Sequence, residues 1–181
     1  MLDKFSTLIA VSVATLMLLF SANLYGDNIT EVFGEGIFEL TWGVKLSDVQ
    51  VTFPNGKKKT KFGILSYDVK DGRSLFGIER KPKDKISFIF NAEKKLFAVN
   101  IDFPAKSASD FGTLMQKLET TFGAAESQPN SLGVTALSWP EEDGTKISFT
   151  HIPGVIGFGS LLFSVEHRPM PEKVTKEDLG F

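Results

Sequence analysis

Cysteine is missing from this chain of 181 residues. Its absence excludes disulfides, thiol nucleophiles and thiolate metal sites, and with them a lipoprotein anchor. Histidine is scarce, with two residues, His151 and His167. Tryptophan and tyrosine number two each against 17 phenylalanines. Phenylalanine has no polar handle, so this bias points to core filling rather than to base or sugar stacking. Neither charge sign dominates: the net charge is −2, which gives no bulk attraction to nucleic acid. No G-x-S-x-G elbow and no S-x-x-K element occurs. The glycines from Gly154 to Gly159 lack the lysine and the following helix of a phosphate loop.

The largest uncharged run lies at the start. Leu8 to Phe20 has the length of an export-signal h-region, and Lys4 supplies a minimal positive flank weakened by Asp3. Residues 1–26 therefore read as a signal peptide, with cleavage after Gly26 or Ala22. The rival reading is an uncleaved anchor, since Phe5 to Tyr25 is long enough to span a bilayer. The mature chain is expected in the periplasm or outside the cell. An inner-membrane anchorage is the alternative.

Residues 27–168 read as a single α+β domain. Ser107 to Gly123 is the clearest helix: Ser107 caps it, and Phe111, Leu114, Met115, Leu118 and Phe122 fall on one face. Gly123 stands at a left-handed C-cap. A shorter helix follows Trp42-Gly43, capped by Ser47, with Val49 and Phe53 as its buried face and Pro54-Asn55-Gly56 as its stop. Residues 27–40 read as an irregular lead-in or an edge strand. Alternation predicts strands over 61–69, 73–80, 85–91 and 95–103, with Asp71-Gly72 as a hairpin turn. Phe97, Val99, Ile101 and Phe103 would share a face. Three more strands follow, over 133–139, 145–151 and 160–167. The expectation is an antiparallel sheet of about seven strands, packed by one main and one short helix. The order also reads as a degenerate duplication of a helix-plus-meander unit. Residues 169–181 read as a loose tail.

The Trp42-Gly43 pair with Ser47, Val49 and Phe53-Pro54 resembles the opening of small exported bacterial domains. The later Phe122-Gly123, Trp139 and Asp143-Gly144-Thr145 are similar to the same class. These are helix-plus-sheet units of the β-lactamase-inhibitor-protein and outer-membrane-assembly-lipoprotein type. The resemblance implies a domain that binds other proteins and performs no chemistry. The absent cysteine departs from the lipoprotein branch.

Two surfaces are candidates for contact. The uncharged loop Ile152 to Gly159 offers Ile152, Val155, Ile156 and Phe158 between two strands, beside Trp42 as a further contact candidate or a core anchor. With a turn at Asp71-Gly72, Lys57, Lys58, Lys59, Lys61, Arg80, Lys81, Lys83 and Lys85 would crowd one rim and attract an anionic surface. The two histidines, set on a hairpin of strands 145–151 and 160–167, would lie about 20 Å apart, too far to share a metal. Glu141, Glu142 and Asp143 read as a solvated turn. The sequence thus predicts an exported, non-enzymatic protein-binding module with no cofactor, no metal and no nucleic-acid partner. The alternative is an envelope factor that contacts lipid through its basic rim.

Overall fold

The computed structural model describes residues 28–105, 108–128, 134–152 and 159–168. The expected leader 1–26, the cap Ser107 and the tail 169–181 lie outside them. The chain is α+β; the described residues form an eight-stranded antiparallel sheet, a two-stranded ribbon and three helices.

Asn28 opens the described chain by capping helix α1 (Ile29–Phe33), its side chain accepting from Thr30 N–H at 2.8 Å. The ribbon β1 (Gly36–Ile37) and β2 (Leu40–Thr41) follows. The lead-in is therefore a helix and a ribbon, not an edge strand. Helix α2 (Leu46–Thr52) buries Val49 and ends at buried Phe53, as the apolar spacing requires. Its N-cap is Lys45 rather than Ser47: the Lys45 N–H donates to Asp48 Oδ2 at 3.1 Å, and Ser47 sits inside the first turn.

Four strands then form a meander: β3 (Lys57–Lys61), β4 (Ile64–Lys70), β5 (Lys85–Phe90) and β6 (Leu96–Ala105). The first turn is Phe62-Gly63, which joins Lys61 to Ile64, and not Asp71-Gly72. Residues 73–80 are no strand. They belong to a loop closed at its base by Asp71 N–H donating to Asp84 O at 2.9 Å. Leu75 and Ile78 exchange hydrogen bonds at its tip. Arg80 anchors the loop: its guanidinium donates to Asp102 O and Lys85 O, each at 2.9 Å. A bulge in the β5–β6 pairing puts Leu96 opposite Phe90 and leaves Phe97 half-exposed, off the core face expected for it.

Helix α3 (Ala108–Phe122) starts the second half. Leu114 and Leu118 are buried, and Phe111, Met115 and Phe122 pack around them. Gly123 has the expected left-handed φ of 80° and closes the last turn on Glu119 O at 2.9 Å. Then come β7 (Glu126–Gln128), β8 (Thr135–Ser138), β9 (Thr145–Ile152) and β10 (Gly159–His167).

The sheet order is β3-β4-β5-β6-β10-β9-β8-β7. Each half is thus a helix followed by a four-stranded meander. The last strands of the two halves, β6 and β10, pair antiparallel at the centre. Both halves share one sheet, and their strand order reverses about that pair. One face carries Phe88, Val99, Ile101, Phe163, Val165, Ile147 and Phe149, all buried. Residues of all three helices join the same core: Ile29, Phe33, Val49, Phe53, Leu114 and Leu118. Each tryptophan N–H ends a helix on this side. Trp139 donates to Gly123 O at 2.8 Å, and Trp42 to Phe33 O at 2.6 Å. Among the described residues, no helix is long and apolar enough to cross a membrane.

Candidate functional site

Because the helices all lie on one side, the other face of the sheet carries only strand residues among those described. Side-chain alternation decides what it shows. Pairing registers place one residue of each strand in a single row: Lys57, Asp68, Ser87, Asn100, Ser164, Ser148, Ser138 and Glu126. The middle of that row is small and polar across five adjacent strands. Ser164 Oγ donates to Asn100 Oδ1 at 2.8 Å, across the junction of the halves. Ser87, Asn100, Ser148 and Ser164 are half-exposed. A concavity of about 210 Å³ opens here, lined by Ala136, Ser138, Lys146, Ser148, Thr150 and Glu166. Short polar side chains leave a sheet face flat enough to admit another protein's surface, and they cost little entropy to order.

The lysines gather differently from the expected rim. Lys57 stands opposite Asp68 and Lys59 opposite Ser66, while Lys70, which sequence reasoning passed over, faces Lys85 directly. Lys57, Lys59, Lys70 and Lys85 border a cavity of about 310 Å³ around Asp68. Like charges directly opposite on paired strands oppose pairing, and two carboxylates relieve them. Lys59 is ion-paired with Asp68, and Lys85 approaches Asp102 at 3.4 Å. Burial pushes the Asp68 carboxyl up. Hydrogen bonds from Lys59 and Ser87, with the charges of Lys59 and Lys85, outweigh that and hold it below its ordinary range.

Arg80, expected on the exposed rim, instead has a fully buried side chain. It lies over the Phe103 ring and faces Asp71 at 3.9 Å. Burial lowers its pKa, opposed by Asp71, Asp84 and Asp102. It anchors the 71–84 loop to β5 and β6. Lys61 is also displaced. It stands at the far end of β3 from Lys57, beside Phe62, while Lys81 and Lys83 lie in the 71–84 loop at the opposite end of the sheet. One continuous rim does not form, because the first turn comes at Phe62-Gly63.

Trp42 is half-buried and stacks on His167, with ring centroids 5.5 Å apart and planes inclined by 9°. His167 Nδ1 lies 2.9 Å from the hydroxyl of fully buried Thr145, and burial lowers the imidazole pKa. Trp42 therefore pins the segment before α2 against the ends of β9 and β10. His151 pairs with Leu161 and packs on Phe111, and His167 pairs with Thr145. The two histidines lie six residues apart along the ladder, about 20 Å. Among the described residues, no three histidine, aspartate or glutamate side chains gather as a metal site. Ile152 is exposed at the end of β9. Val155, Ile156 and Phe158 lie outside the described residues.

No family model, characterised protein or solved structure matches the chain.

Proposed function

We propose that the chain is an exported, non-enzymatic binding module whose partner is another protein docked on the open face of the sheet. The observation that supports this reading is the distribution of layers among the described residues: three helices cover one face, while Ser87, Asn100, Ser164, Ser148 and Ser138 line the other across five strands. A face that carries no helix among the described residues, and short side chains, suits a broad protein surface better than a small molecule, which needs an enclosed, largely apolar cleft. Export rests on the leader-like residues 1–26.

The test is capture of a partner by the tagged full chain beside Ser164→Arg and Ser148→Arg versions. A long charged side chain in the middle of the docking face should cut capture by about ten-fold or more. Both positions are half-exposed, so the melting temperature should hold. Undiminished capture by both variants would place the partner elsewhere on the molecule.

A further inference from the structure

Among the described residues, three phenylalanines sit at left-handed backbone angles: Phe38 at φ 55°, Phe62 at 52° and Phe76 at 52°. A bulky side chain is rare there, so something must hold it. Two of the three are held by the core. Phe38 packs edge-on to Phe53 and Phe88, and Phe76 packs against Phe103 and Phe163. Phe62 packs on none of them. It is 91% exposed at the tip of the β3–β4 hairpin, beside Ile64 at 54%. The turn it occupies, with Gly63 at φ 78°, is a two-residue type I′ turn, for which Asn-Gly is the preferred pair. The fold thus gives no reason for phenylalanine at position 62.

Its surroundings are cationic. Lys61 Nζ lies 5.3 Å from the Phe62 ring centroid. Lys58 and Lys59 stand exposed on the same edge strand, and exposed Lys94 lies in the β5–β6 turn, which opens to the same end of the sheet. The nearby described acids are Asp68, paired with Lys59, Glu93, paired with Lys95 at 3.0 Å, and Asp48, which accepts from Lys45 N–H where that residue bridges Lys95. Glu141 and Asp143 share that end of the sheet but sit on the β8–β9 turn. Four strand spacings, about 19 Å, separate β9 from β4. That exceeds the screening length, so they tilt the molecule toward the hairpin rather than cancel its charge.

We propose that the β3–β4 hairpin attaches the protein to an anionic bilayer, with Phe62 and Ile64 entering the headgroup layer and Lys58, Lys61 and Lys94 meeting lipid phosphates. An exposed aromatic tip flanked by lysines matches the chemistry of an interface, apolar below and anionic above. A protein partner would need a pocket shaped for the ring, whereas a bilayer needs only its protrusion. The proposal stands apart from the sheet-face reading and survives its failure, because the tip lies at one corner and leaves the face free.

The test uses the mature chain expected after cleavage at Gly26, residues 27–181, which omits the apolar leader. The protein is sedimented with vesicles of about three parts phosphatidylcholine to one part phosphatidylglycerol, and with pure phosphatidylcholine. The parent should partition to the mixed vesicles and release in high salt. Phe62→Asn should partition about ten-fold less or weaker, while melting no lower than the parent, since asparagine suits the turn. Lys58→Glu with Lys61→Glu should lose the preference for anionic vesicles. Three results would overturn the proposal: no partition of the parent, equal partition of Phe62→Asn, or a lower melting temperature for that variant, which would assign Phe62 to the fold. A photo-crosslinker at position 62 that labels a protein and not lipid would overturn it as well.

Discussion

Arg80→Met is the perturbation whose cost follows most directly from the geometry. The Arg80 side chain is fully buried and donates to two backbone carbonyls, Asp102 O and Lys85 O, both at 2.9 Å. Hydrogen bonds from a charged group contribute about 1.5–3 kcal/mol each, so their loss costs about 3–6 kcal/mol. Removing the guanidinium also removes its desolvation penalty, several kcal/mol for a buried ion. Asp71 is not orphaned, because Arg73 Nε lies 2.8 Å from its carboxylate. Methionine refills much of the volume over Phe103. The net expectation is a loss of about 2–3 kcal/mol, or roughly 5–10 °C in melting temperature for a domain of this size. Urea unfolding followed by circular dichroism reads it, together with protease cleavage inside residues 73–79, which should quicken as the 71–84 loop loosens. A change under about 0.5 kcal/mol, with no faster cleavage, would refute the anchoring role.

Other outcomes follow from the same contacts. Burial lowers the His167 pKa, so the folded protein favours the neutral ring. That contribution is full above the ordinary histidine value near 6.5 and is lost as pH falls below it, toward the depressed folded value. Melting temperature should drop across that window, and His167→Gln should flatten this part of the profile. Gly56→Ala should destabilise by about 1–3 kcal/mol in thermal unfolding, because a Cβ there would stand 2.3 Å from the ring of Tyr67. That ring is held by its hydroxyl donating to Phe53 O at 2.7 Å and accepting from Gly56 N–H at 2.9 Å.

The parts of the fold legible in the sequence are those where apolar periodicity and a cap agree. Helix α3 is the clearest case, with its stripe from Phe111 to Phe122 and its glycine stop. Strands β5, β9 and β10 also alternate cleanly, as does β6 beyond its bulge. The misses have physical causes. Asp71-Gly72 carries strong hairpin chemistry, but Asp71 uses it to cap a loop, its side chain accepting from Arg73 N–H at 2.9 Å. The true turn at Phe62-Gly63 goes against residue preference, and hence against pattern reading. Strand β3 is Lys-Lys-Lys-Thr-Lys and exposed throughout, so it has no alternation to find. Strand β7 is three polar residues on the other edge, and only the duplication could have supplied it: four strands in one half ask for four in the other. The candidate docking face was hidden because its residues are serine and asparagine, read singly as unremarkable. Only the registers align them in one row.

The most direct test of the docking face is photo-crosslinking from two positions in the full chain. Ser164 lies at the centre of the open face, and Val51 is exposed on the helix-covered side. A crosslinker at position 164 should give one discrete protein adduct in envelope or culture-fluid extracts, and position 51 should give none. An adduct from position 51 alone, or none from either, would contradict the assignment of the bare sheet face as the surface this protein uses.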